Sequence, residues 1–403
     1  MPQSDAEKFP SSSQYSFLNP FANHSYFTLR ALCQHGPVYL FCPPLQIQIL
    51  QGVWNCETLD LVSPPLRSRV CSFLAITFFC IFKLHILTEA TYLKLFRLLS
   101  ILYLRRIHPF PVLVYYQDYL AETLSKHFPR SSRICELIIN SNPLQPNYHS
   151  TLRAIDHSTN VVIPTPVMKQ LCDRSGRQPL IAPYGGDKID YLSPIQFNFP
   201  GFSPSSFPAV LSKSSSVNRL KIVARSPSQR KGLDLLLHSL LSVDSWLSST
   251  RTFAELHVIL CGQIIEAPMR DLFSSISDYL MPRGSIYLTS GQFSTTQYLG
   301  LLAGCDFFIM PSRLESSSLA ALEALWLCVP SILTEACGIS QFISARHGLL
   351  LEDLTPSSLS DSIQQFVQSP HFLLSCRKNL NADRTLFTWQ QYFNSYSSLL
   401  QAL

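Results

Sequence analysis

The sequence predicts an α/β protein of two parallel-sheet domains facing a central cleft. Three observations lead there. The chain has 403 residues, about twice the roughly 100 to 200 of a single domain. Short apolar runs alternate with helix-length patterns in both halves, which is the sign of βαβ units. A Ser/Pro/Phe-rich span at 191–218 has no hydrophobic period and reads as a linker or surface loop. The composition agrees: 46% apolar and only 14% charged residues describe a packed chain, since a disordered one inverts those proportions.

The elements follow in order. Helical spacing from Ser25 to Gln34 stops at Gly36-Pro37, and Val38 to Cys42 reads as a strand closed by Pro43-Pro44. Val70 to Phe82 is the longest apolar run; it falls short of the roughly 18 to 20 residues that cross a bilayer, so it reads as a buried helix. Arg67, Arg69, Lys83, Lys94, Arg97, Arg105 and Arg106 surround it, the later ones interleaved with leucines. That pattern fits a domain helix with solvated cationic ends or a helix lying on an anionic membrane. Leu84 to Leu87 and Pro111 to Tyr116 are short strands around a helix, and Asn160 to Ile163 is another. Turn residues fill 181–187. Strands resume at Arg219 to Ala224, Leu256 to Leu260, Ser285 to Leu288, Asp306 to Met310 and Ser331 to Thr334. Helical patterns at Leu354 to Val367 and Trp389 to Leu400 close the chain. The expected domains are 1–190 and 219–385, joined by 191–218, with a helix at 386–403 packing back on the first.

The net charge of +5 is too small for a dedicated nucleic-acid binder. Its distribution says more: residues 1–190 hold 17 basic and 12 acidic side chains, and 191–403 hold 14 of each. The surplus points to an acidic partner or surface for the first domain. Twelve scattered cysteines form no C-x-x-C pair or zinc spacing, and the Ser-rich first twenty residues have no apolar core. The expectation is a cytoplasmic protein with reduced thiols, peripheral on a membrane if the basic helix binds one.

Two blocks carry chemistry. In the first, a buried strand through Phe307-Phe308-Ile309 turns at Pro311 and releases a helix near Ser317. Ser316, Ser317 and Ser318 can cap its first turn and aim free N–H groups outward, a ready anion site. Glu315 lies before the helix and Glu323 within it. Carboxylates repel a diphosphate, so these two suit hydroxyls on either side of an anionic centre. Glu323 sits among Leu319, Ala320, Leu322, Ala324 and Leu325, and a carboxylate in so apolar a helix needs a partner. In the second block, Arg225 leaves the end of a strand and Lys231 stands near the next helix start. A guanidinium, an ammonium and a helix dipole together can hold a diphosphate without a metal. Taken alone, the two cations would read as ordinary surface charges.

These blocks resemble the nucleotide-binding domain of the family 4 retaining glycosyltransferases, which have the GT-B fold of two Rossmann-like domains. The family pattern G-R-x-x-x-x-K-G is echoed from Ala224-Arg225 to Lys231-Gly232, and P-S-x-x-E-x7-E-A from Pro311-Ser312 through Glu315 to Glu323-Ala324. Cys328 to Ile332 resembles the following G-x-P-V-I, and Arg346 to Leu350 the N-G-L-L turn. Phe387-Thr388-Trp389 resembles the closing F-S-W, and Tyr184 to Asp187 the interdomain N-G-V-D hinge. The ordered set spans about Tyr184 to Leu400; residues before it match only in layout. The family's E-G-F-G becomes Glu315-Ser316-Ser317-Ser318, and Asn19 to His24 replaces its N-terminal glycine-rich loop.

The resemblance implies a hexosyl transfer, with retention, from a nucleotide-diphosphate sugar to a glycan or lipid-linked acceptor. Arg225 and Lys231 would bind the diphosphate, Glu323 the ribose, Glu315 the transferred sugar, and the amides of Ser316 to Leu319 phosphate and sugar. Ser290-Gly291-Gln292 would border the base, and no metal or other cofactor is expected. His24, His85 and Asp118 lie at expected strand or loop ends facing the cleft; each is an acceptor contact or, more simply, a structural residue. His149 and His157 show no metal spacing. The serine replacements keep open a non-catalytic nucleotide-binding or scaffold protein of the same architecture, and an epimerase or phosphorylase shares the fold.

Overall fold

A computed structural model describes Thr28, Ala31 and residues 113–116, 121–137, 148–187, 219–225, 228–250, 255–293 and 295–402. The apolar run at 70–82, the basic helix, and the strands expected at 38–42 and 84–87 lie outside the described residues, as does the span 191–218.

The N-terminal part runs β1 (Leu113–Tyr116), α1 (Ala121–His127), β2 (Arg133–Glu136), α2 (Tyr148–Asp156), β3 (Asn160–Ile163), α3 (Lys169–Asp173) and β4 (Leu180–Ile181). Its strands pair in parallel in the order β1-β2-β3-β4. The C-terminal part runs β5 (Arg219–Arg225), α4 (Leu233–Thr250), β6 (Glu255–Cys261), α5 (Ala267–Leu280), β7 (Ile286–Gly291), α6 (Thr295–Ala303), β8 (Phe307–Met310), α7 (Leu319–Trp326), β9 (Ser331–Thr334) and β10 (Gly348–Leu351). Three helices follow, α8 (Pro356–Gln368), α9 (Pro370–Ala382) and α10 (Trp389–Ala402).

The six C-terminal strands are all parallel, in the order β10-β9-β8-β5-β6-β7. That is the doubly wound order, with β5 at the centre and the chain moving outward first to one side and then to the other. Crossovers leave β5 and β8 in opposite directions, so a crevice opens between their carboxyl ends, where such sheets bind ligands. β8 is apolar throughout, as burial on both faces requires, and all four residues of β8 and of β9 are buried. The strands read from sequence at Asn160–Ile163 and Ser331–Thr334 form with those bounds. β2, β4 and β10 were not foreseen; Ile181, read as part of a turn, closes β4. Arg346 to Leu350, read as a turn, instead leads into the edge strand β10 with Gly348 paired to Ser331; a side chain at Gly348 would overlap the Ser331 backbone, so the glycine lets the strands close up.

The two parts meet along α10. Trp389 is fully buried and stacks on Tyr184 with centroids 5.4 Å apart, while Tyr392 packs on both rings. The Asp187 carboxylate accepts the Trp389 N–H at 2.7 Å and so caps the helix from 202 residues away. The Tyr392 hydroxyl reaches Thr28 Oγ1 at 2.7 Å and Glu136 Oε2 at 3.5 Å. Gly185 and Gly186 lie so close to the Trp389 and Leu322 backbones that neither position has room for a Cβ.

Candidate functional site at the sheet crevice

β5 places Arg225 at the crevice because Ile222, Val223 and Ala224 bury on the sheet and the strand ends with the guanidinium emerging. The guanidinium lies 4.1 Å from the Tyr298 ring centroid and donates to Glu323 Oε2 at 2.8 Å. Glu323 is 2% exposed and Arg225 33%. Burial alone would lower the Arg225 pKa; the Glu323 carboxylate and the Tyr298 hydroxyl outweigh it, and the guanidinium is held above its ordinary value. The Tyr298 hydroxyl is pushed well up, by burial first and by Glu323 second.

Lys231 comes from the turn at 228–232. Gly232 adopts φ +76, and a Cβ there would overlap the Pro311 carbonyl, so only glycine lets this turn rest on the strand end at 311. Lys231 Nζ then reaches Glu315 Oε1 at 2.8 Å. Arg230 stands 3.4 Å from the same oxygen and donates to the Leu314 carbonyl at 2.6 Å. Arg313 makes a two-bond fork with Asp234 at 2.8 and 2.7 Å and donates to the Gln229 carbonyl at 2.6 Å. On the far side the Gln229 N–H donates to Glu266 Oε2 at 2.9 Å. Turn and loop are therefore laced into one unit.

The loop leading into α7 is fixed through its carbonyls. Glu315 N–H donates to Ala336 O at 3.1 Å, and Gly338 N–H donates to Glu315 O at 3.2 Å. Ser318, at φ 56, is the N-cap: its carbonyl accepts from Ala321 and Leu322, and its hydroxyl from Ala321 N–H at 3.4 Å. No described residue accepts from the N–H groups of Ser316 to Ala320. A helix start leaves its first donors unused, and these five lie together beside the two cations.

The structure thus brings together Arg225, Lys231, Glu315, Ser316, Ser317, Ser318, Leu319 and Glu323. It corrects one expectation. Three serines were expected to cap the helix; only Ser318 does, because α7 starts at Leu319, and the buried Ser317 hydroxyl has no partner among the described residues. Each cation has a carboxylate as counterion, Arg225 with Glu323 and Lys231 with Glu315, since charges this buried need neutralising. Gly291 ends β7 in register with Cys261 and, through it, Arg225, which sets it at the same sheet edge two strands away. His24, His85 and Asp118 lie outside the described residues. Arg230, Tyr298, the Arg313–Asp234 fork and Glu266 were missed. Arg230 had a signal in the Arg230-Lys231 pair; the others depend on strand order. Among the described residues no three His, Cys, Asp or Glu side chains are grouped to hold a metal ion, and no helix is long and apolar enough to cross a membrane.

A doubly wound sheet with paired cations and free amides at its switch point defines a nucleotide-binding α/β domain. Residues 212–382 match the family described as Glycosyl transferases group 1. Over 122 residues the chain is 22% identical to MJ1178 of Methanocaldococcus jannaschii, an uncharacterized glycosyltransferase, covering 30% of this chain and 35% of that one. Over 80 residues it is 29% identical to TuaC of Bacillus subtilis, named as a glycosyltransferase of teichuronic acid biosynthesis, covering 20% and 21%. The matches therefore span about a third and a fifth of those relatives. Among solved structures, Anabaena HepE in complex with UDP superposes with TM-score 0.55 at 16% identity, covering 72% of this chain and 79% of that one. Sucrose-phosphate synthase of Thermosynechococcus elongatus gives 0.54 at 17%, covering 74% and 75%. The fold is GT-B.

Proposed function

We propose that the protein is a retaining, metal-independent glycosyltransferase that moves a hexosyl unit from a nucleotide-diphosphate sugar to a glycan or lipid-linked acceptor. The observation that carries this reading is the meeting of Arg225, Lys231 and the free 316–320 amides at the sheet's switch point. HepE, a structure of similar fold, was solved with UDP, which makes a uridine nucleotide the first donor to try.

The paired charges give the binding step its form. An entering diphosphate takes Arg225 from Glu323 and Lys231 from Glu315, exchanging one anion for another on each cation. The freed carboxylates then accept hydroxyl hydrogen bonds, Glu323 from the ribose and Glu315 from the sugar. In the transfer, the bond from the anomeric carbon to the diphosphate oxygen breaks and one to the acceptor oxygen forms on the same face. The acceptor's proton passes to the departing phosphate. Arg225, Lys231 and the loop amides stabilise the charge that builds there, the kind of effect that dominates such catalysis. The two side-chain cations supply the positive charge a metal otherwise would.

The test is a thermal-shift screen with UDP, GDP, ADP and their sugars, since a ligand that binds only the folded state raises the melting temperature. Arg225→Ala or Lys231→Ala should abolish transfer with the fold retained; full activity in both would sink the assignment. Nucleotide binding without turnover of any donor would favour the scaffold reading. For the N-terminal domain the proposal is an acceptor site with peripheral contact to an anionic membrane. Co-sedimentation with anionic vesicles should fall with salt and on neutralising Arg105 and Arg106.

A further inference from the structure

One contact in the donor loop comes from the other domain. Thr165 follows β3 of the N-terminal sheet, is 1% exposed, and donates its hydroxyl hydrogen to the Ser316 carbonyl, 151 residues away. The contact is tightly enclosed. Gly338, at the start of the 3-10 turn Gly338–Phe342, lies so close that a Cβ there would overlap both the Ser316 oxygen and the Thr165 hydroxyl. Just beyond Thr165 the short turn Pro166–Met168 packs on that same 338–342 turn. The N-terminal domain therefore grips one chosen peptide of the loop.

Which peptide it grips matters. A trans peptide is planar, with its C=O and the following N–H pointing in opposite directions. Anchoring the Ser316 carbonyl on Thr165 thereby sets the direction of the Ser317 N–H, the second of the five free amides. The Glu315 and Ser318 carbonyls on either side are held by groups of the C-terminal domain itself. Among the described residues of this loop, the 316–317 peptide is the one whose carbonyl is held from across the cleft.

We propose that Thr165 is a positioning residue for transfer: its hydroxyl aims the Ser317 N–H at the donor phosphate or sugar, so the donor loop is complete only while the N-terminal domain is docked. This rests on the donor-site reading above. It makes the relative placement of the two domains a condition for catalysis rather than for nucleotide binding, because Arg225 and Lys231 belong wholly to one domain.

Thr165→Val keeps the shape and removes the hydroxyl, and Thr165→Ser restores it. The full-length wild type and both variants are compared in two ways. In the ligand-free protein, hydrogen exchange of the 313–322 segment should be faster in Thr165→Val and near wild type in Thr165→Ser. With whichever of UDP-glucose, GDP-mannose and ADP-glucose most raises the wild-type melting temperature, Thr165→Val should lower kcat about tenfold or more, as loss of one aimed backbone donor does. KM and the affinity for the free nucleoside diphosphate should stay within about threefold, and Thr165→Ser should recover most of kcat. Wild-type kcat and exchange in Thr165→Val would overturn the proposal, as would a Thr165→Ser variant as impaired as Thr165→Val. If none of the three sugars binds the wild type, the donor-site reading falls and the proposed role falls with it; the exchange data would then report only whether Thr165 holds the loop.

Discussion

The crevice at the end of β5 and β8 and the joint around α10 are both densely made, but by opposite means. At the crevice, partners are charges that a ligand can replace: Arg225 with Glu323, Lys231 with Glu315. At the joint, Tyr184, Trp389, Tyr392 and Tyr396 fill space with rings, and Gly185 and Gly186 admit no side chain at all. Ion pairs exchange at modest cost when another anion arrives, whereas close packing tolerates no change of volume. One region is built to change partners and the other to keep them.

The largest effect should come from breaking the joint. Trp389→Ala is expected to remove about 3 to 5 kcal/mol, seen as a lower urea midpoint; Gly186→Ala, which drives a methyl into the Leu322 carbonyl, should do comparable damage. If either variant unfolds like the wild type, the joint is not the rigid partner in this contrast. Next comes the crevice. Glu315→Gln leaves Lys231 without its counterion, so a nucleoside diphosphate, which has no sugar for Glu315 to hold, should bind several-fold tighter while transfer drops. Calorimetric titration with UDP, GDP and ADP reads the first effect; weaker binding would contradict the exchange of counterions.

A smaller effect concerns acid. Arg313 holds the Asp234 carboxyl below its ordinary value, although burial opposes it. A group with a depressed folded pKa contributes stability above its unfolded value and loses it as pH falls through the folded one. Wild type should therefore lose slightly more stability than Asp234→Asn between about pH 5 and 2, and identical acid profiles would remove the fork from the account. The smallest expectation is chemical. Burial pushes the Cys261 and Cys328 thiols up to about 11 and Cys305 and Cys337 up to about 12. Since the thiolate is the reactive form, these four should be alkylated at pH 8 only after denaturant is added, as mass spectrometry of labelled peptides can check.

Much of the fold was legible because a buried parallel strand is a continuous apolar run. Phe307 to Met310 is such a run, and Ser331 to Thr334 has Ile332 and Leu333 at its centre. β2 escaped because Arg133 and Glu136 bound only two apolar residues, and β10 because Gly348 looked like a turn. The site's main residues were legible from their spacing, Arg225 to Lys231 and Glu315 to Glu323. Their pairing was not. Nor was Thr165, whose role depends on a carbonyl that no side-chain pattern encodes.

By itself, then, the sequence determined which segments become strands and which charged residues stand at strand ends and helix starts, because periodicity and capping act over a few neighbouring residues. Only the tertiary structure decided who meets whom. Arg225 lies 98 residues from Glu323, and Thr165 lies 151 from Ser316. Those contacts exist because the doubly wound order sets β5 beside β8 and because α10 holds the N-terminal domain against the loop before α7. Local chemistry chose the groups, and strand order chose their partners.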